Sequence, residues 1–224
     1  TLGALWQPIA LGVNIFGIGV IFGNLFNLPV ERYVPFLCIG MILWNALVSV
    51  LGDCTDSLNG TSNTRYDELI IYPIRICAKH ALLSTLNFSI YIIVAIIFGK
   101  SITFAQLLFF LRGTTCFFWI LTALGIIFSI VGAVFKDFSN ILRNFLSLMF
   151  FITPVMWEPG GMEHKWIFII NPIYHLIEMI RAPLISWETY DPLILLVSGM
   201  VTIFLLISSL FVWRVWGWLV PYKQ

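Results

Sequence analysis

From Thr1 to Val30 the chain carries no charged side chain, and long apolar runs keep recurring between short polar breaks up to its last residues. A helix of about 20 apolar residues crosses a hydrocarbon core of about 30 Å. The pattern therefore predicts an all-α integral membrane protein with six spans, at residues 5–27, 35–57, 78–99, 105–135, 140–157 and 192–214. Pro35 opens the second span. Thr103 is placed to cap the fourth, and Asn171-Pro172 and Asp191-Pro192 each read as a cap followed by a first helical residue.

The fifth run breaks the pattern. It opens behind a candidate cap at Ser139 and meets Pro154 too soon, at about two-thirds of a bilayer. Glu158-Pro159-Gly160-Gly161 then turns the chain, and Trp166–Ile170 adds a short apolar piece. The helix begun at Pro172 is expected to stop at Ala182, because Pro183 disfavours helical geometry in the residue before it. That makes it about 16 Å long, half a membrane. Broken backbone at membrane depth needs protein or water partners. Residues 154–183 thus predict a re-entrant gate hairpin, with Pro154, Trp157, Gly160, Gly161, Asn171 and Pro172 as its frame. The alternative is an external loop with interfacial helices. His175, Glu178 and Arg181 follow at i, i+3 spacing, so pairing at a membrane surface is expected for them.

Two further stretches carry polar signal. Between Asn59 and Lys79 lies the longest polar interruption, in which Thr64 and Asp67 have capping-box spacing and a short helix over 65–71 would follow, closed by Pro73. It is either a solvated loop or a helix that docks a partner. Arg112 interrupts the fourth span near one end, where it either snorkels to the interface or lends a polar group to a transport path. Gly19 and Gly23 form a GxxxG pair that permits close helix approach and, more rarely, a dimer contact.

Composition agrees with the pattern. The chain has 224 residues, of which 60% are hydrophobic and 10% charged, with a mean hydropathy of +0.97. No soluble domain has that composition. The net charge of +1 says nothing about nucleic acid, but there is no basic run to bind it, and none is expected as a partner. Cys38, Cys54, Cys77 and Cys116 lie in or near apolar segments without disulfide-like spacing and read as structural thiols. Trp157, Trp166, Trp187, Trp213, Trp216 and Trp218 fall at predicted interfaces, where aromatic belts form, although aromatics also stack on sugars.

An even number of spans puts both termini on one side. Arg65, Arg75, Lys79, Lys136, Arg143, Arg214 and Lys223 share one face, against Arg32, Lys100, Lys165 and Arg181 on the other. The excess makes the first face, with both termini, cytoplasmic, so the hairpin enters from outside. No GxxxxGK[ST] loop is present to hold a nucleotide, and His80, His164 and His175 stand isolated, without a metal-ligand pattern. Asp53 and Asp56 lie at the end of the second span and read as interfacial. The chain is expected to bind no cofactor.

Four stretches carry a resemblance: GALWQPI at the first span, FLCIGMILWN at the second, VFKDFSNILRNFLSLMFFITPVMW at the fifth and NPIYHLIEMIRAPL after the hairpin. Together they resemble the permease subunits of ABC-2 type polysaccharide exporters, the O-antigen and capsule group, with teichoic acid permeases as close relatives. The resemblance covers nearly all of residues 1–224, as a single transmembrane domain. It implies a homodimer in the bacterial inner membrane, joined to two ATP-binding cassette subunits that hold ATP and magnesium. The substrate it implies is an undecaprenyl-pyrophosphate-linked polysaccharide. It also implies an amphipathic interfacial helix ahead of Thr1. It assigns a coupling helix to 65–71, with Thr64, Arg65, Asp67 and Glu68, and a second ATPase-facing connection at Lys136 and Asp137. The hairpin maps onto the family's periplasmic gate, with His175, Glu178 and Arg181 in it. Asp67-Glu68 departs from the basic or apolar coupling loops of the family, and Arg112 has no counterpart in it. A drug or small-lipid exporter of the same class fits the hairpin less well. A membrane-embedded enzyme of lipid-linked sugar assembly would need a cluster of catalytic polar groups that this chain lacks.

Overall fold

In hydrocarbon each backbone N–H and C=O must find a partner within the protein, and a helix supplies that partner locally. The computed structural model describes residues 3–25, 28–58, 69–157, 171–185 and 192–216, and the secondary structure it assigns there is helical throughout. A 3-10 turn at Gly3–Leu5 leads into α1 (Trp6–Leu25), followed by α2 (Val30–Asp56), α3 (Ile71–Ile97) and α4 (Phe104–Val134). Then come α5 (Phe138–Ile152), α6 (Pro172–Ile185) and α7 (Pro192–Trp216). By length and composition, α1 to α4 are able to cross a membrane. At 15 and 14 residues, α5 and α6 are too short to do so unaided.

Several boundaries differ from expectation, each for a local reason. α2 starts at Val30 and not Pro35, because the Pro29 carbonyl accepts from the N–H groups of Arg32 and Tyr33 at 2.9 and 3.0 Å and closes a turn early. α3 starts at Ile71, so Pro73 opens this helix instead of closing the one before it. A first turn tolerates proline, whose N–H would have had no helical partner there. Of the helix expected over 65–71, residues 65–68 lie outside the described residues. α5 begins at Phe138, which puts Asp137 and not Ser139 in the cap position.

Other boundaries hold. Thr103 caps α4 in a reciprocal box: its Oγ1 accepts from Gln106 N–H at 3.4 Å, while Gln106 Oε1 accepts from Thr103 N–H at 2.8 Å. Gly99, with φ at 62°, ends α3 in the left-handed conformation. Lys100 N–H then reaches back to the Ala95 carbonyl at 2.8 Å and Gly99 N–H to that of Ile96 at 3.2 Å.

The chain divides into two compact units. The first comprises the described parts of Thr1–Asn45, Leu82–Gly113 and Phe150–Thr189. Here α1 buries Leu11, Ile15, Gly19 and Gly23, one stripe at four-residue spacing. A Cβ added at Gly19 would stand 2.8 Å from Val34 Cγ2, and one at Gly23 would stand 3.4 Å from Val30 Cγ2. The GxxxG pair is therefore used within the chain, to bring α1 against α2.

The second unit comprises the described parts of Ala46–Ala81, Thr114–Met149 and Tyr190–Gln224. Leu58, Leu69, Ile126, Ile130, Ala133 and Trp213 form its core. Trp213 is thus buried, where an interfacial belt position was expected, because the end of α7 packs on α4 and on the residues that flank α2 and α3. Gly125 and Gly132 of α4 let it approach α2 closely, at Cys54 and Thr55. At this end of the unit Asp53 accepts from Lys79 at 3.3 Å and is bonded to His80 at 2.9 Å, and Asp56 accepts from Arg143 at 2.6 Å. His80 is therefore paired and buried, contrary to the expectation that it stands isolated.

Candidate functional site

α5 ends where its sequence says it must. Pro154 pushes Thr153 out of helical geometry, and Val155 N–H closes a tight turn on the Thr153 carbonyl at 2.7 Å. The break exposes backbone oxygens that a continuous helix would have satisfied, and side chains of the first unit take them up. Trp157 Nε1–H donates to the Phe151 carbonyl at 3.2 Å. The Tyr33 hydroxyl donates to that of Met156. Arg181 Nη1 donates to that of Pro154 at 2.8 Å.

α6 is fixed at both ends as well. At its start Asn171 Oδ1 accepts from the N–H groups of Ile173 and Tyr174, at 3.0 and 3.3 Å, as expected of a cap. The same side chain donates from Nδ2 to Thr153 Oγ1 at 2.8 Å, which ties the start of α6 to the end of α5. At its end Gln106 Nε2 donates to the Pro183 carbonyl at 2.9 Å and the Tyr91 hydroxyl to that of Leu184 at 3.3 Å. These are among the last carbonyls of a helix, which have no partner of their own.

The expected stop at Ala182 is overturned, since α6 runs through Pro183 to Ile185. Proline in a last turn releases a single carbonyl, that of Met179 four residues back. That oxygen lies against Gly113 of α4, where an added Cβ would be 3.0 Å away.

Arg181 is the largest fully buried side chain among the described residues, at 1% exposure. It was expected to pair at a membrane surface. The spacing to Glu178 is used as expected, but the guanidinium lies inside the protein. Its Nε and Nη2 donate to Glu178 Oε2 at 3.0 and 2.6 Å. Its third nitrogen holds the broken end of α5, and its Cζ lies over the Phe36 ring of α2, 3.8 Å from the centroid. Stacking on an aromatic face favours a desolvated guanidinium further. Gly40 makes room for this arrangement: a Cβ there would meet the Val155 carbonyl oxygen at 2.7 Å and Arg181 Nη1 at 3.5 Å.

The structure thus brings together Pro154, Trp157, Asn171, Pro172, Glu178 and Arg181. His175 stands on the same helix but exposed, its ring centroid 5.5 Å from that of Tyr174. Arg112 is an exposed residue of α4, and Lys136 and Asp137 are exposed in the α4–α5 connection. Gly160, Gly161, Thr64, Arg65, Asp67 and Glu68 lie outside the described residues. Tyr33, Phe36, Gly40, Tyr91, Gln106 and Thr153 were not foreseen in this network. Gln106 had a legible signal, a capping-box partner three residues after Thr103. An Asn171→Ala variant should lose about 1–2 kcal/mol, the upper part of the range for a cap because the Thr153 bond goes too. Asn171→Ser, which keeps a cap oxygen without the amide donor, should fall between, as read from thermal unfolding in detergent.

Compared with known proteins, residues 1–185 match the model of the ABC-2 type transporter family. The chain is also similar to the polysialic acid transport protein KpsM of Escherichia coli, at 22% identity over 221 residues, which covers 95% of this chain and 85% of that protein.

Proposed function

Because this chain belongs to the ABC-2 type transporter family, we propose that it is the permease subunit of an ATP-driven exporter of lipid-linked polysaccharide. The proposed substrate is an undecaprenyl-pyrophosphate-linked glycan such as O-antigen, moved across the bacterial inner membrane. The observation that carries the reading is the similarity of 95% of the chain to a polysialic acid transport protein. In this reading the permease works as a homodimer, as the resemblance implies, and ATP is held by two partner subunits, since residues 1–224 contain no nucleotide loop. Both termini are cytoplasmic, and the hairpin 154–183 enters from the periplasmic side and is the gate. Thr64, Arg65, Asp67, Glu68, Lys136 and Asp137 face the ATPase.

In this reading the α5–α6 network is the fixed frame of the gate. The carbonyls of Phe151, Pro154, Met156, Pro183 and Leu184 already have side-chain donors, which holds the broken backbone in place. The moving part proposed is the turn at Gly160-Gly161, because glycine as a residue type can adopt backbone states that others avoid.

The direct test is deletion and complementation in the native host. Loss of the gene should trap polymer on the cytoplasmic face, and the chain restored together with its ATPase should return it to the surface. Unaltered surface glycan with defective efflux of drugs or small lipids would refute the polysaccharide assignment. Topology has its own test: single cysteines at positions 62 and 162 of a cysteine-free chain. An impermeant maleimide on intact cells should label 162 alone, and labelling at 62 would invert the orientation.

A further inference from the structure

Cys54, near the end of α2, and Cys77, in the second turn of α3, are free and buried. Their sulfurs converge on a single point of α4. A Cβ built on Gly125 would stand 2.8 Å from Cys54 Sγ and 3.5 Å from Cys77 Sγ. The two side chains are close enough to interact with each other. Cys54 Sγ also lies 3.8 Å from the carbonyl oxygen of Pro73, one helical turn before Cys77, so the sulfur faces that side of α3. Both thiols pack against α4 at a position that has no side chain to stand between them and the helix.

We propose that Cys54 and Cys77 form a two-electron redox site, closed to a disulfide by a peroxide-class oxidant. One sulfur attacks a peroxide oxygen, the O–O bond breaks, and a sulfenic acid and one water result. The second thiol then attacks the sulfenic sulfur, the S–O bond breaks, and a second water leaves. Two thiols and one hydrogen peroxide thus give one disulfide and two waters. Burial directs this outcome. A bulky oxidant is excluded, while the neighbouring thiol traps the sulfenic acid before a second peroxide reaches it. The bond would pin the end of α2 to the start of α3 and close the chain around residues 59–68. This last consequence for transport rests on the coupling role proposed above for that segment.

The experiment uses the full chain in native membranes with its ATPase, treated with hydrogen peroxide, then denatured, alkylated and digested without reductant. Mass spectrometry should find the peptides holding residues 54 and 77 joined, two hydrogens lighter than their free sum and separable by dithiothreitol. Cys54→Ser and Cys77→Ser should each abolish that species. Full alkylation of both cysteines after peroxide, or a bond that links two copies of the chain, would overturn the proposal. Export measured on the same membranes separates the two readings. A joined peptide with unchanged export upholds the thiol site and counts against the coupling role of 59–68.

Discussion

An Arg181→Met chain is expected to unfold at a clearly lower temperature than the native chain and to lose export. Methionine fills much of the same volume, so the loss isolates the polar role of the arginine. Three acceptor contacts vanish together: two to Glu178 and one to the Pro154 carbonyl. The Pro154 oxygen is left without its charged donor, and the end of α5 loses its tie to α6. Removing one partner of a buried ion pair costs roughly 3–5 kcal/mol. Glu178 retains 32% side-chain exposure and can recover some hydration, so the low end, about 3 kcal/mol, is expected. Arg181→Lys should be intermediate, since an ammonium keeps the charge but cannot serve Glu178, Pro154 and the Phe36 face at once. A thermal midpoint unchanged by the methionine would show that the network contributes no net stability.

Gly132→Ala should be the most damaging glycine-to-alanine change among the described residues. The added carbon would stand 2.1 Å from the Thr55 carbonyl oxygen and 2.8 Å from Thr55 Cγ2. No side-chain rotation relieves a clash with backbone, so α4 must move away from α2 and open the core that Ile130 and Ala133 form with Trp213. Overpacking typically costs 1–3 kcal/mol, and a backbone clash belongs at or above about 3 kcal/mol. The matched control is Gly17→Ala in α1, where nothing lies within 4 Å of the added carbon. There the helix interior should gain roughly 0.5–1 kcal/mol from the better helix former. Membrane yield and thermal midpoint of the two variants should therefore move in opposite directions. Equal behaviour would mean that the close approach of α2 and α4 is not held in the membrane.

How much could be read beforehand depended on where the deciding interaction lay. The long helices α1 to α4 were visible because apolar run length is a local property, and the caps at Thr103 and Asn171 because their partners lie three residues away or fewer. The break at Pro154 was legible for the same reason. Pro73 and Pro183 misled because proline's effect depends on its position within a helix, and that position was set by neighbours the local pattern did not include. Arg181 looked like a surface residue since its spacing to Glu178 names one partner and says nothing of Phe36 or Pro154. His80 and Trp213 are cases of the same kind: a bond to a residue 27 positions away and burial by a distant helix leave no periodic trace.

The capping of α6 by Tyr91 and Gln106 has a consequence for how the protein is made. Chains enter the membrane from the N-terminus as they are synthesised, and earlier segments settle first. The donors that complete the end of α6 sit on α3 and α4, and its start is tied to Thr153 at the end of α5. All of them leave the ribosome before α6 does. At 14 residues the shortest α-helix among the described residues, α6 therefore arrives when its receptor is already built, and its last carbonyls pass straight to waiting donors. A chain that placed α6 ahead of the α3–α4 hairpin would have to hold those carbonyls in lipid unpaired, and the order of segments along the sequence avoids that interval.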